Sequence, residues 1–330
     1  MKIAKTVLSL VSAIFCYIQG NAQSDSIYAR INVYEPAQFK EVYLPQHQFV
    51  NPTLDFSNMV DDFIPEAKSP LPNQYENRTL NGKIKKITKF RKFPKETEKQ
   101  MVDIHFFNKN GFLEKVNFMF NSNTYFHYDT RNRLIRKETL RENDTLNIRQ
   151  YAYNDKNQIT RYTESYFEKG KRRDGPWGIV YEPHSILLNS LQPDGTSRLV
   201  VKYTYDGNKV KTENYADGAV LQNTGHEFIY SENNNLISRK SREYNTFFCY
   251  DRYNRRTREI SIMLGKTWDV RTRTYDKNGS IIRFSHENPV SKLSGSTEFR
   301  YDQFRNKIYE ASGPDVTVNP YEYFYEIEYY

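Results

Sequence analysis

The stretch "RRDGPWGIVYEP" holds the side chains in this sequence best suited to gripping another molecule. Trp177 offers a flat apolar face to a sugar ring or a protein partner, Arg172 and Arg173 offer forked donors to hydroxyl or carboxyl oxygens, and Tyr181 adds a second ring. The glycines and the proline around Trp177 predict a loop inserted into an otherwise regular region, a setting in which binding residues concentrate. A loop tryptophan tucked against a sheet for packing alone would read the same way.

Residue types that perform catalysis are present without the spacing that catalysis needs. The six histidines, at 47, 105, 127, 184, 226 and 286, form no HxH or HExxH pair, so neither a metal site nor any cofactor is expected. No nucleophile elbow, phosphate-cradling glycine loop or dinucleotide fingerprint occurs. Carboxylates are plentiful, and a glycosidase needs only two at a suitable separation, which keeps an unrecognised glycoside hydrolase as one alternative. The favoured reading is that the chain is not an enzyme. Cys249 would be the one cysteine left after removal of a leader that contains Cys16, so an intramolecular disulfide is not expected.

The elements that must position these residues repeat. Aromatic anchors fall at Phe107, Tyr128, Tyr153, Tyr181, Tyr205, Tyr230, Tyr250, Tyr275 and Tyr301, at spacings of 20 to 28 residues, with a terminal partial unit assigned to Tyr325. A period of that length means stacked supersecondary units. In "YDTRNRL", Asp129 suits the opening of a type I turn and Asn132 the left-handed residue that closes a three-residue loop; Gly111 and Gly279 take the same place as Asn132. Such a loop sets Tyr128 opposite Leu134, Phe107 opposite Leu113, Tyr153 opposite Ile159, Tyr230 opposite Leu236 and Tyr275 opposite Ile281. Aromatic and branched aliphatic residues make favourable cross-strand pairs, roughly 0.2 to 1 kcal/mol beyond Ala–Ala. Relative to Tyr181, Leu187 stands where Leu134 stands relative to Tyr128. A lone hairpin is marginal in water, so neighbouring hairpins should pair edge to edge. The expected fold is all-β: consecutive antiparallel hairpins forming one long twisted or curled sheet. Trp268, between repeats, is expected in the core.

Tyr128-Asp129, Tyr205-Asp206, Tyr250-Asp251, Tyr275-Asp276 and Tyr301-Asp302, each followed by Asn or Gly near the turn's end and by an aliphatic residue in most units, resemble the YD repeats of the RHS family. The resemblance covers about residues 103 to 325 and implies a hairpin sheet wound into a spiral or curl. Large members of that family look like hollow shells around a toxic cargo. This chain is much shorter, lacks the family's self-cleaving core segment, and has Arg256 in the aliphatic place and no Asp after Tyr181. The resemblance therefore implies a reduced, repeat-only relative.

Residues 1–22 read as a secretory signal peptide: Lys2 and Lys5, an apolar stretch too short to span a bilayer, then Gly20-Asn21-Ala22. Residues 23–102 read as a proline-rich arm with a degenerate first repeat at "NGKIKKITKF"; the arm could cover the first edge of the sheet or act as a spacer. Residues 103–330 form the repeat domain. The formal charge is +8, and losing Lys2 and Lys5 lowers it to +6. "KIKKITKFRKFPK" is the one dense basic run, better read as a solvated strand face than as a polyanion site, and nucleic acid is not an expected partner. Charge on both faces of "LIRKETLREND" argues against strands that face lipid. The expected protein is secreted, periplasmic or surface-held, with no transmembrane segment in the mature chain. Its expected role is that of a non-catalytic binding or structural module for envelope glycan or a protein partner. A shell relative that encloses or delivers separately encoded cargo is the main alternative.

Overall fold

The computed structural model describes residues 34–35, 74–75, 78–119, 121–142, 144–168, 171–222, 224–231, 235–313 and 320–330. The leader and nearly all of the arm lie outside them. Three short outlying strands come first: β1 (Tyr34–Glu35), β2 (Gln74–Tyr75) and β3 (Arg78–Thr79). The repeats then supply β4 (Ile84–Lys92), β5 (Gln100–Phe107), β6 (Leu113–Phe118), β7 (Ser122–Tyr128), β8 (Leu134–Arg141), β9 (Asp144–Tyr153), β10 (Ile159–Glu168), β11 (Lys171–Glu182), β12 (Ser185–Leu191), β13 (Ser197–Asp206) and β14 (Lys209–Ala216). After the two-residue β15 (Ala219–Val220) come β16 (Glu227–Tyr230), β17 (Leu236–Lys240), β18 (Tyr244–Asp251), β19 (Arg256–Met263), β20 (Lys266–Tyr275), β21 (Ile281–Asn288), β22 (Leu293–Tyr301), β23 (Lys307–Ser312) and β24 (Glu322–Tyr329).

The turn chemistry is repeated almost atom for atom. Asp129 Oδ1 accepts from the amides of Arg131 and Arg133, each at 2.9 Å, and the Asp129 amide donates to the Arg133 carbonyl. Asn108, Asn154, Asp251, Asp276 and Asp302 do the same in their own turns. The residue that closes each loop has positive φ: Gly111, Asn132, Asn157, Asn254, Gly279 and Arg305. Tyr128 stands opposite Leu134, Phe107 opposite Leu113, Tyr153 opposite Ile159, Tyr230 opposite Leu236 and Tyr275 opposite Ile281, each with a one-residue bulge beside it. Two units carry shorter turns. Tyr205 pairs with Val210 around Gly207, and Tyr181 pairs with Ile186 rather than Leu187, because Glu182 and Ser185 already face each other.

The anchors do more than fill space. The hydroxyl of Tyr128 donates to the Leu113 carbonyl at 2.6 Å, Tyr153 to Leu134 at 2.7 Å, Tyr181 to Ile159 at 3.1 Å, Tyr250 to Leu236 at 2.7 Å, Tyr275 to Arg256 at 2.6 Å and Tyr301 to Ile281 at 2.6 Å. Each bond runs back to the hairpin before. Arg133 and Arg255 pair with their own turn carboxylates, Asp129 and Asp251, and lie over the next anchors, Tyr153 and Tyr275, at 4.8 and 4.5 Å. Neighbouring units are thus tied through ring, hydroxyl and guanidinium as well as through the ladder.

The sheet is not open. All-β antiparallel pairing holds throughout the repeats, but β24 pairs with β4 from Glu322↔Lys92 to Tyr329↔Ile84, and β4–β14 with β16–β24 make a closed barrel of 20 strands. A long twisted sheet exposes two edges, and closure removes both. The seam rebuilds one repeat from distant parts of the chain. Tyr329 stands opposite Ile84, the Tyr330 amide donates to the Lys83 carbonyl, and Gly82 has φ +82°, reproducing the places of Tyr128, Leu134, Asp129, Arg133 and Asn132. Tyr329, not Tyr325, therefore holds the anchor place; Tyr325 lies opposite Lys89. Asn306, 2% exposed, locks the seam by exchanging hydrogen bonds with the backbone of Asn81 and donating to the Tyr329 hydroxyl. The first sheet edge is thus covered by β24, whereas the described arm residues Tyr34–Glu35 pair in parallel with Tyr250–Asp251 of β18.

Alternation gives the barrel wall two faces. The face bearing the anchors carries the main buried cluster, including Leu134, Tyr151, Ile159, Tyr162, Ile179, Ile186, Leu188, Tyr203 and Val210, with a second cluster of Ile84, Ile87, Phe107 and Tyr325 at the seam. Full burial of one such side chain is worth about 1.5–3 kcal/mol. Charges occur on both faces: Lys89, Arg149, Glu164 and Arg273 among the anchors, and Lys86, Arg136, Lys202 and Lys211 opposite. Each face therefore mixes charged with apolar side chains. Among the described residues no helix is long and apolar enough to cross a membrane, a fact silent about strands.

Candidate functional site

Trp177 lies in regular structure. The stretch around it is strand β11, twelve residues long, with Pro176 opposite Thr163 of β10 and just beyond the last β11–β12 pair, Trp177↔Ser190. A proline is tolerated at the point where one ladder has ended, so the expected insertion loop is absent. Tyr181 belongs to the hydroxyl ladder and packs on the main core. The backbones of Arg172 and Arg173 pair with Phe167 and Tyr166 towards the end of the same hairpin. Of the four candidate ligand residues, Trp177 and Tyr181 share the anchor face, and the side chains of Arg172 and Arg173 lie outside the described residues.

Around Trp177 the anchor face departs from the repeat. Trp177 stands opposite Tyr162, whose ring is 5.5 Å from that of Tyr151, and both tyrosines are buried. One step outward, Glu164 accepts from Arg149 Nε at 2.6 Å and from Asn147 Nδ2 at 3.1 Å. Burial alone would raise the Glu164 carboxyl, but hydrogen bonds from Tyr166, Arg149 and Asn147 and the Arg149 charge outweigh it and hold it below the usual carboxylate range. Tyr166 is raised in return, chiefly by its bond to Glu164, and its side chain is half exposed. Opposite Glu164 stands Gly175, where an added Cβ would lie 3.8 Å from the indole nitrogen of Trp177. The result is a half-buried indole beside a fixed carboxylate–guanidinium pair and a phenol. Such a surface can stack a sugar ring and exchange hydrogen bonds with its hydroxyls. Sequence reasoning missed Arg149, Glu164 and Tyr166, which fall outside the anchor pattern and meet only through the register of β9 with β10.

Other sequence candidates have structural partners. Lys86 of the basic run forms an ion pair with Glu328, and Lys89 lies over the rings of Tyr323 and Tyr325 at 4.4 and 5.5 Å. Cys249 is buried. Trp268, expected in the core, is 42% exposed at the start of β20. It falls in the irregularity between Ile262↔Thr267 and Ser261↔Asp269, which takes it out of register. Among the described residues no group of His, Cys, Asp and Glu side chains could hold a metal ion.

No protein-family model and no curated protein matches this sequence. Among solved structures, similarity is found to the Photorhabdus luminescens Tc holotoxin pore carrying TccC3-D651A, at 10% identity and TM-score 0.25 over 72% of this chain. A TcdB2-TccC3-TEV crystal structure matches at 10% identity and TM-score 0.26 over 74%. The matched region spans 15% of the length of each of these toxin chains. A porin-like protein from Bacteroides uniformis matches at 8% identity and TM-score 0.32, covering 74% of this chain and 96% of that one.

Proposed function

We propose that this chain is a reduced relative of the YD-repeat proteins whose barrel acts as a non-catalytic binding module for an envelope glycan. The observation that carries this reading is the Trp177 surface: an indole, a phenol and an ion pair with fixed geometry, set where the repeat pattern lapses. Among the described side chains a single carboxylate, Glu164, stands in that group, whereas glycoside hydrolysis uses two flanking the scissile bond. The sequence of residues 1–22, read as a signal peptide, supports this reading, since export would bring the module to an envelope where such polymers are found.

The test is a glycan array and polysaccharide pull-down with the mature chain, comparing Trp177→Phe and Glu164→Gln, both chosen to preserve packing. Binding weakened at least about tenfold in each variant, with unchanged melting, supports the site. Turnover of a polysaccharide abolished by one carboxylate change would replace the reading with a hydrolase. Closure of the sheet favours the second reading, a shell around separately encoded cargo, since twenty strands exceed the roughly eight whose side chains fill a barrel's interior. Co-purification of a cargo protein whose protease protection depends on the intact seam would select it.

A further inference from the structure

The two rims of the barrel use different turn residues. At the rim of the Tyr-Asp turns the non-glycine residues with positive φ are Asn132, Asn157, Asn254 and Arg305. At the far rim they include Leu264, at φ +49°, followed by Gly265 at +75°. This is a two-residue hairpin turn with both central residues left-handed, a geometry that calls for Asn-Gly. A branched apolar residue there is an outlier, of the kind that accumulates at functional positions. Leu264 is also 78% exposed, the most exposed of the large apolar residues described.

Its neighbours extend the pattern. Three successive far-rim turns carry Tyr244, Leu264 with Trp268, and Val290 with Leu293, all exposed by 42% or more. Each has an exposed basic residue within two positions: Arg242, Lys266 and Lys292, against one exposed carboxylate, Glu243. The turns are fixed rather than slack. Asn288 Oδ1 accepts from the amides of Val290 and Ser291 at 3.0 and 2.9 Å, Ser241 exchanges bonds with Tyr244, and the Leu264 amide donates to the Glu243 carbonyl of the next turn. The apolar tips are therefore held outward by satisfied backbone. Adjacent tips sit two strands apart, about 10 Å. A protein partner would need a pocket matched to each, whereas a fluid apolar layer needs none. Aromatic and basic side chains beside the tips suit the headgroup level of a bilayer.

We propose that the arc formed by turns 241–244, 264–268 and 289–293 docks on a lipid bilayer with anionic headgroups, inserting Leu264 and Val290 and leaving Arg242, Lys266 and Lys292 among the phosphates. The barrel is then held upright on the surface without spanning it. The experiment is co-sedimentation of the mature chain with phosphatidylcholine vesicles, with and without phosphatidylglycerol. The expected result is partition onto the mixed vesicles, weakened at least about tenfold by Leu264→Asn with Val290→Ser. Asn suits the left-handed turn, so that variant should melt no earlier than the parent. Lys266→Glu with Lys292→Glu should abolish the preference for phosphatidylglycerol. Absence of partition, or partition unchanged by the tip variant, overturns the proposal. So does self-association without lipid that Leu264→Asn abolishes, which would make the arc an interface between copies.

Discussion

Replacing Tyr275 with Phe removes one oxygen and leaves the ring, the register and the Arg255 stacking in place. What is lost is the 2.6 Å bond to the Arg256 carbonyl, between a tyrosine only 8% exposed and the hairpin before it. A typical hydrogen bond contributes about 1 kcal/mol net, and stranding a buried partner raises the cost. We expect Tyr275→Phe to cost about 1–2 kcal/mol, with similar values for Tyr128→Phe and Tyr301→Phe, which make the same bond at 2.6 Å. Urea titration of the purified chain reads this as a lower midpoint at unchanged slope. Tyr244→Phe, exposed at the far rim, is the control and should shift nothing. If Tyr275→Phe behaves like the control, the anchors are tyrosine for some reason other than the ladder, and the account of how units are tied together is wrong.

Two further outcomes follow from the same geometry. Burial, opposed in part by the charges of Arg273 and Arg255, pushes the Tyr275 hydroxyl up to about 12 from an ordinary 10, and burial raises Tyr153 to about 12 as well. In this window the unfolded chain loses its phenolic protons first, so stability is full below pH 10 and falls as pH rises towards 12. Tyr275 alone accounts for about 2–3 kcal/mol, and absorbance titration at alkaline pH should show these phenols ionising only with unfolding; early ionisation in the folded state would refute the burial. At the seam, Asn306→Ala strands the Asn81 amide and carbonyl and should cost about 2–4 kcal/mol. Hydrogen exchange should then speed up first in 84–92 and 322–329, and a uniform loss of protection across the barrel would show that the seam is not its weak point.

The hairpin register was legible because it depends on local spacing. A Tyr six residues before a Leu, with Asp and Asn fixing a three-residue turn between them, allows one pairing, and the units at Tyr128, Tyr153 and Tyr275 adopt it. Where the turn shortens, as at Tyr181, the count fails by one residue and the partner becomes Ile186. Closure was not legible, because the match of Tyr329 to Ile84 joins residues from opposite ends of the repeat array and no short-range pattern marks it. Pro176 misled for a different reason: proline argues against a strand only where its missing donor falls inside a ladder, and there the β12 ladder had already stopped. The hydroxyl ladder was available in principle, since every anchor but Phe107 is tyrosine where phenylalanine would fill the same space, and that preference asks for an acceptor.

The division of labour in the sequence follows from this. In the units that keep the pattern, the turn carboxylate or amide accepts from two backbone amides and the anchor tyrosine hydroxyl donates to a carbonyl, and in the units of Arg133 and Arg255 the turn arginine is paired with its own aspartate. A group so engaged has nothing left to offer a ligand without undoing the fold. Positions that recur therefore build the wall, and the binding proposed above is assigned to those that do not recur. Two sets stand out: Arg149, Glu164, Tyr166 and Trp177 on the anchor face, and the apolar tips of the far rim, where Leu264 occupies a conformation its side chain disfavours. Grafting the Asn-Gly turn of an ordinary hairpin at 264–265 should leave the wall intact while erasing whatever the rim does. That separation is expected of a repeat scaffold whose function lies in its exceptions.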